Sequence, residues 1–432
     1  MDIIYDSSTF DLINHKELCL DLNQLAYLKR MTKYITNISN DIYKNIVTKS
    51  LDLKIEDVLD ALEALEKIQP ITISAIIICM NEEKYIKKCI ESIQSCQFDE
   101  IIVVDTGSTD NTIDILHSLQ EQIPQLKIYH TEWKNDFSKV RNYGLDLAES
   151  EWVFFIDADE YYLNQEEHSI KEIISFFSIY YNDDLCMCPN IINSNNHELY
   201  NNPRILKRVA GYQYYGNVHE MLRKNKNSYD FVPNIGLNIK FGHDGYRNDI
   251  FITKDKESRN VDLLMKCIEM EPNNPLWKCY LVRDGMRKLS TNYIIQLCEE
   301  TINLCEAREN YFFTYCYYWA HTLLIDLYIS MKEIEKTAPL IKNLRKNNAG
   351  LDETDIYYRE QLIYLIKIEK DLEIKLNEVK KYRENHSKTN GSALNTQGYH
   401  LDDLIMRLNY FNHNMDEYHQ YKNYLYQLNY LV

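Results

Sequence analysis

Three carboxylates stand together at Asp157, Asp159 and Glu160, where the run Trp152-Val-Phe-Phe-Ile156 ends. That run is apolar, β-branched and aromatic, the composition of a buried strand. Carboxylates crowded at a strand end repel one another, and a divalent cation relieves the repulsion. Hard oxygen ligands suit Mg2+ or Mn2+, ions that commonly hold a phosphate as well. In open α/β sheets ligands sit beyond the carboxyl ends of the strands, where these acids fall. The pattern therefore points to a metal–diphosphate site. An ordinary acidic turn after a core strand would leave the same letters, so the surrounding elements must decide.

Those elements alternate. Ile73–Cys79 is a continuous apolar run, as in a parallel strand buried on both faces. A helix is expected over Glu83–Ser95, with Tyr85, Ile86, Cys89, Ile90 and Ile93 on one side. A strand over Glu100–Val104 ends on Asp105, and Thr106-Gly-Ser-Thr-Asp110 turns into a helix over Thr112–Leu119. A strand over Leu126–Tyr129 and a helix over Ser138–Glu149 lead to the strand Trp152–Ile156. This rhythm means right-handed βαβ units and a parallel sheet. Asp105 and the Asp157/Asp159 pair should then share one carboxyl edge, with base and ribose of a nucleotide near the first and its diphosphate near the second. The first strand runs into Cys79-Met-Asn-Glu-Glu83 rather than a G-x-G-x-x-G fingerprint, which argues against dinucleotide binding, and no Walker A sequence is present.

Around this core the pattern changes. Residues 12–66 read as helices, most clearly in KIEDVLDALEALEKI, where Ile55, Val58, Leu59, Leu62 and Leu65 recur at helical spacing until Gln69-Pro70. Such an apolar face packs on the next domain, on a second copy as a homodimer, or on a peptide. From Asp184 to Phe241 short strands such as Asp184–Met187 and Asn238–Phe241 flank polar turns. Within that stretch Gly216-Asn-Val-His219-Glu220 puts an imidazole beside a carboxylate, and His243 stands between Gly242 and a following Asp244-Gly245. A lone histidine is more often structural than a ligand, but flanking glycines mark a backbone that approaches something closely. From about residue 258 the chain reads as helical hairpins: 258–270 with 275–289, 310–330 with 332–347, 353–369 with 371–385, 395–412 with 415–430, and 291–307 besides. Hairpins of this kind stack on each other and leave a concave surface for peptides. The expected domains are a helical arm over 1–70, an α/β domain over 71–257 and a helical-repeat domain over 258–432.

Whole-chain properties exclude other classes. A formal net charge of −17 argues against a general nucleic-acid binder, which needs a basic footprint. No apolar run of about 18 residues reads as a membrane span, and the opening MDIIYDSSTF lacks the form of a signal peptide, so a cytoplasmic protein is expected. The 11 cysteines fall in apolar or helical contexts and read as core thiols. Cys186-Met-Cys188 lacks two further ligands at zinc spacing.

The motifs CMNEE, VVDTGSTDNT, EWKNDFSKVRN, EWVFFIDADE, GNVHE and GHDGY, in that order over residues 72–246, resemble the family 2 glycosyltransferases with a GT-A fold. EWKNDFS, EWVFFIDAD, GNVHE and EMEPNNP are most similar to the sublancin-type bacteriocin S-glycosyltransferases, cytoplasmic enzymes that glycosylate a cysteine thiol of a precursor peptide. The resemblance implies a GT-A nucleotide-diphospho-sugar transferase domain between a helical N-terminal arm and an all-α, tetratricopeptide-like C-terminal domain. It implies UDP-hexose as donor, glucose by analogy, and Mg2+ or Mn2+ held by Asp157, Asp159 and His243. Asn81, Glu82 and Asp105 would form the nucleotide wall, Lys139 and Arg141 would face the base or phosphates, and Asp157 with Ala158 would line the diphosphate. Glu220, with His219 beside it, would be the acceptor-side base or would orient the acceptor. A thiol, with a pKa of about 8.5, needs less help than a serine hydroxyl. The helical tail predicts a peptide acceptor, so removing residues after about 260 should raise the peptide KM and leave UDP-sugar hydrolysis intact. A transferase acting on a cell-wall or lipid-linked glycan and a non-catalytic scaffold of the same fold stay open.

Overall fold

The computed structural model describes residues 71–163, 170, 171, 173–175, 184–199, 202–244, 256–306, 308, 310–346, 353–389 and 391–430. The helices expected over 12–66, and Gly245 and Tyr246, lie outside the described residues. The chain falls into two compact units, Met1–Ala320 and His321–Val432.

In the first unit the alternating reading becomes β1 (Ile73–Cys79), α1 (Ile86–Ile93), β2 (Glu100–Asp105), α2 (Thr112–Gln120), β3 (Leu126–His130), α3 (Phe137–Leu147) and β4 (Trp152–Asp157). These four strands pair in parallel in the order β3-β2-β1-β4. Their residues are buried on both faces: Ile73, Ala75, Ile77 and Phe154 pack toward α1 and α2 in one cluster, Ile76, Val104 and Phe155 toward α3 in another. Continuous apolar runs are what two covered faces require. The chain then adds β5 (Glu160–Tyr162), β6 (Cys186–Asn193), β7 (Glu198–Leu199), β8 (Ile205–Lys207), the separate antiparallel pair β9 (Gln213–Tyr215) and β10 (Met221–Arg223), and β11 (Asn234–His243). β8 joins β4 antiparallel, and β6, β11 and β5 extend the sheet beyond it, β11 running parallel to β6 and antiparallel to β5.

The register places the acids. Cys79 sits opposite Asp105 and Ile78 opposite Asp157, so β1 separates the two strand ends by two inter-strand spacings, roughly 10 Å. Across β11 and β5, His243 pairs with Glu160, which brings the late histidine to the turn carrying Asp159. The helices α4 (Lys256–Met270), α5 (Pro275–Gly285) and α6 (Thr291–Cys305) belong to the same unit, and α7 (Tyr311–Ser330) runs across the division.

The second unit is helical: α8 (Thr337–Lys346), α9 (Glu353–Asn385), α10 (Tyr399–Phe411) and α11 (Met415–Gln427). Leu376, Val379, Ile405 and Leu408 form its small core, and Arg383 donates from Nε and Nη2 to the two oxygens of Asp402 at 2.8 Å. The hairpin expected from 353–369 and 371–385 is instead one continuous helix. The letters between them, Glu369-Lys370-Asp371, include no glycine, proline or competent cap sequence, so nothing interrupts the propensity of the flanking Leu, Lys and Glu residues. Among the described residues no helix is long and apolar enough to cross a membrane.

Candidate active site

Asp157 ends β4 with its carboxylate between two guanidinium groups. Arg141 Nη2 donates to Oδ1 at 2.9 Å and Arg204 Nη2 donates to Oδ2 at 2.7 Å. Arg204 Nη2 also reaches Glu160 Oε1 at 3.2 Å, and the Asp157 amide donates to Glu160 Oε2 at 3.0 Å. On the other side Arg141 Nε donates to Glu220 Oε1 at 2.5 Å. A chain of alternating charge therefore runs Glu220–Arg141–Asp157–Arg204–Glu160. Burial alone would raise Asp157, but Arg204 and Arg141 outweigh it and hold the carboxyl well below the usual carboxylate range. Glu160, fully buried, is pushed up by desolvation against the pull of Arg204. The repulsion that the sequence assigned to a cation is thus relieved, for Asp157 and Glu160, by arginine.

Asp159 is differently placed. Its Oδ2 lies 3.4 Å from His243 Nε2, and its carbonyl accepts from the Asp244 amide at 3.1 Å. His243 Nδ1 faces Asn193 Oδ1 at 2.9 Å, an arrangement that puts the proton on Nδ1 and turns Nε2 toward Asp159. Burial would lower His243, yet Asp159, Glu160 and Asp157 together hold it above its ordinary value. Among the described residues no three His, Cys, Asp or Glu side chains converge as a metal-ligand set. The oriented pair Asp159 and His243 still offers one carboxylate and one imidazole, a donor set that suits a divalent ion completed by diphosphate oxygens and water. The glycine beside His243 has its reason here: a Cβ on Gly242 would lie 2.5 Å from Tyr161 Cζ, so the close approach is to that ring.

The other candidates spread along the strand ends. Asp105 is buried, and its carboxylate accepts from the Gly107 amide at 2.9 Å and the Ser108 amide at 3.1 Å, closing its own turn. Asn81 is exposed with φ +57°, a conformation asparagine tolerates. Its Oδ1 accepts from the Thr109 amide at 2.7 Å, tying the end of β1 to the loop after β2. The Glu82 amide donates to Thr112 Oγ1 at 2.8 Å. Asp136 caps α3 by accepting from the Lys139 amide at 3.1 Å, and the Lys139 side chain is exposed, its Nζ 3.4 Å from Asp136. Ala158 is buried in the turn between Asp157 and Asp159. The structure thus brings Arg141, Asp157 and Glu220 together, and Asp159 with His243, while Asn81, Glu82 and Asp105 form a second group at the ends of β1 and β2.

Glu220 follows a turn held in the left-handed region. His219 has φ +51°, which histidine adopts more readily than most residues with a side chain. Its Nε2 lies 2.6 Å from Asp284 Oδ2 on α5, and its ring stacks on Tyr280 at 4.5 Å. The Asn217 amide donates to Cys267 Sγ at 3.1 Å. Gly216 has φ +105°, and a Cβ there would lie 2.5 Å from Trp277 Cη2. Gly216→Ala should therefore lose about 2–4 kcal/mol from combined backbone strain and overpacking. Urea unfolding tests this, and a wild-type midpoint would mean the loop does not rest on Trp277 as described.

Arg204 and Asp284 escaped the sequence reading. Arg204 sits in Asn-Pro-Arg before a buried strand, and Asp284 follows Arg283 after the buried pair Leu281-Val282. A charge at the edge of buried apolar sequence was the only signal.

Residues 74–244 match the family described as Glycosyl transferase family 2. The SPbeta prophage-derived glycosyltransferase SunS of Bacillus subtilis (strain 168) is 35% identical over 244 residues, 56% of this chain and 55% of that protein. The lipopolysaccharide core biosynthesis glycosyltransferase LpsC of Rhizobium meliloti (strain 1021) is 38% identical over 93 residues, 22% of this chain and 33% of its own length. Residues 1–349 of S. aureus TarS, in complex with UDP-GlcNAc, align with 64% of this chain and 92% of that one at 15% identity and a TM-score of 0.40. The chain spans about half the length of SunS, and less of LpsC.

Proposed function

From the family 2 glycosyltransferase domain that the chain carries over residues 74–244, we propose that the protein transfers a hexose, glucose by analogy, from a UDP-sugar to a cysteine thiol of a precursor peptide, with inversion. The observation that carries this reading is the likeness to SunS. It covers 56% of the chain and so reaches past the family domain into flanking sequence. The motifs shared with the sublancin-type S-glycosyltransferases supply the thiol and the peptide.

In this mechanism the S–C1 bond forms as the C1–O bond to the diphosphate breaks, and the thiol proton leaves to Glu220 or to water. Asp159 and His243 would hold Mg2+ or Mn2+, which when bound supplies positive charge to the departing diphosphate. Arg141 and Arg204 fix Asp157, and with it the turn that presents Asp159. Asp105, Asn81 and Glu82 shape the loops where uridine would rest, with Ala158 beside the diphosphate, and Lys139 offers the exposed cation nearest the start of α3. Glu220 is oriented by Arg141. A thiol ionises near pH 8.5 and asks little of that carboxylate, whereas a serine acceptor would require it.

The deciding measurement is UDP release from a panel of UDP-sugars with and without Mg2+ or Mn2+, using wild type and Asp159→Ala. A cysteine-containing precursor peptide is present in half the reactions and is read by intact mass. Metal-dependent release, a peptide gain of one hexose and loss of both in the variant are expected. Release with an unmodified peptide would transfer the reading to a glycan acceptor, the class named for LpsC, whose likeness is confined to a shorter stretch. Absence of UDP binding would leave a non-catalytic scaffold.

A further inference from the structure

We propose that Asp284 is a positioning residue of the transfer site: through His219 it fixes the left-handed turn that aims Glu220 at Arg141, so the first helices after the sheet build the acceptor side. This rests on the reading of Glu220 as an acceptor-side group.

The loop has little to hold it from its own sequence. Val218, Glu220 and the β10 strand that follows are ordinary, but His219 lies at φ +51°, in the left-handed region that most residues with a side chain enter only where something holds them there. Such a conformation persists only where surroundings over-determine it. At the start of α3 the Phe137 amide donates to the Asn217 carbonyl at 3.0 Å and Asn217 Nδ2 donates to the Asn135 carbonyl at 3.0 Å; the contacts to the His219 ring itself come from α5. Asp284 Oδ2 lies 2.6 Å from His219 Nε2 and accepts from Asn260 Nδ2 at 3.1 Å, while Oδ1 accepts from Arg283 Nε at 2.6 Å. The same His219 Nε2 lies 2.9 Å from Arg283 Nη2, so carboxylate and guanidinium both meet this ring nitrogen. Tyr280 closes the ring from one side at an interplanar angle of 21°, and Arg283 covers the Tyr280 ring at 4.7 Å. Asp284 is 12% exposed and held well below the usual carboxylate range, where burial is outweighed by His219 and Arg283. One residue further, Glu220 meets Arg141, which in turn holds Asp157. Asp284 therefore lies three contacts from the end of β4.

The test compares full-length wild type with Asp284→Asn and Asp284→Glu. Asparagine keeps the size and removes the charge, and glutamate restores the charge. Hydrogen exchange is followed in peptides covering 213–223 and in those covering β1 to β4. Turnover is followed as UDP release from UDP-glucose with Mn2+, and UDP binding by calorimetry. Asp284→Asn should raise exchange at 216–220 about tenfold, leave the sheet unchanged, lower kcat at least tenfold and keep the KM for UDP-glucose within twofold. Asp284→Glu should recover part of the kcat. Wild-type exchange at 216–220 in Asp284→Asn overturns the proposal, as does a loss of protection throughout the sheet together with UDP binding, which would mark a merely structural contact. Wild type that binds no UDP and turns over no donor counts against the transferase reading, while the exchange comparison still decides the role of Asp284.

Discussion

An Arg204→Met variant should be about 3–5 kcal/mol less stable than wild type at neutral pH, the usual cost of removing one partner from a buried ion pair, and should lose measurable turnover. Arg204 is buried, and its one Nη2 serves both Asp157 and Glu160. Methionine fills similar volume but leaves Asp157 with Arg141 and takes from Glu160 the guanidinium it shares with Asp157. The pH dependence carries a sign. Asp157 has a folded pKa below its unfolded value, so its contribution is present above about pH 4 and is lost as pH falls through the carboxylate range. Glu160 is raised, so it contributes below its unfolded pKa and loses that contribution as pH rises. Arg204 holds Asp157 down and opposes the rise of Glu160, and both effects favour the charged carboxylates. The gap between wild type and variant in urea midpoint should accordingly be widest near neutrality and narrow toward acid. Equal midpoints at pH 7 would show that Arg141 alone suffices. Arg204→Lys should restore charge but not the shared contact to two carboxylates, and so recover only part of the stability.

The sheet was legible because its strands are buried on both faces, which forces continuous apolar runs such as Ile73–Cys79 and Trp152–Asp157. The acids were legible as a cluster at the end of β4, and His243 as a residue held beside a glycine. Their division of labour was not. One letter cannot say whether a carboxylate faces a cation or a guanidinium, and the guanidinium of Arg204 arrives from 47 residues away through the antiparallel entry of β8 beside β4. Arg141 shows the same limit. Its position on α3 is readable, yet whether it faces phosphate or, as here, Asp157 and Glu220 depends on the turn of a helix face against a loop still 79 residues ahead. The helix start at Pro275 was readable, since Asn274 caps it and proline suits a first helical position, whereas the break expected near residue 370 does not exist because no glycine, proline or cap interrupts α9 there.

The largest change in expectation concerns the helices after the sheet. Were they only a peptide platform, a chain ending near residue 260 would still hydrolyse UDP-sugar. The loop that carries Glu220 argues otherwise. Gly216 rests on the face of Trp277, Asn217 bonds to Cys267, and His219 is tied to Asp284. Arg223, buried at the end of β10, donates to Glu271 Oε2 at 3.0 Å, and Trp277 Nε1 donates to the same oxygen at 2.9 Å. Ending the chain near 260 deletes every one of these partners and leaves the Arg223 charge buried without its carboxylate, so hydrolysis and peptide transfer should vanish together. Such a chain loses several buried partners at once, so Trp277→Ala in the full chain is the sharper version. Trp277 is fully buried, and its truncation should cost about 3–5 kcal/mol. It should also release the 216–220 loop and lower kcat for water and thiol acceptors alike. A Trp277→Ala protein that hydrolyses UDP-sugar at the wild-type rate while losing only peptide affinity would return these helices to the role of a docking surface. Equal loss on both acceptors would make them part of the catalytic unit, consistent with their place in Met1–Ala320.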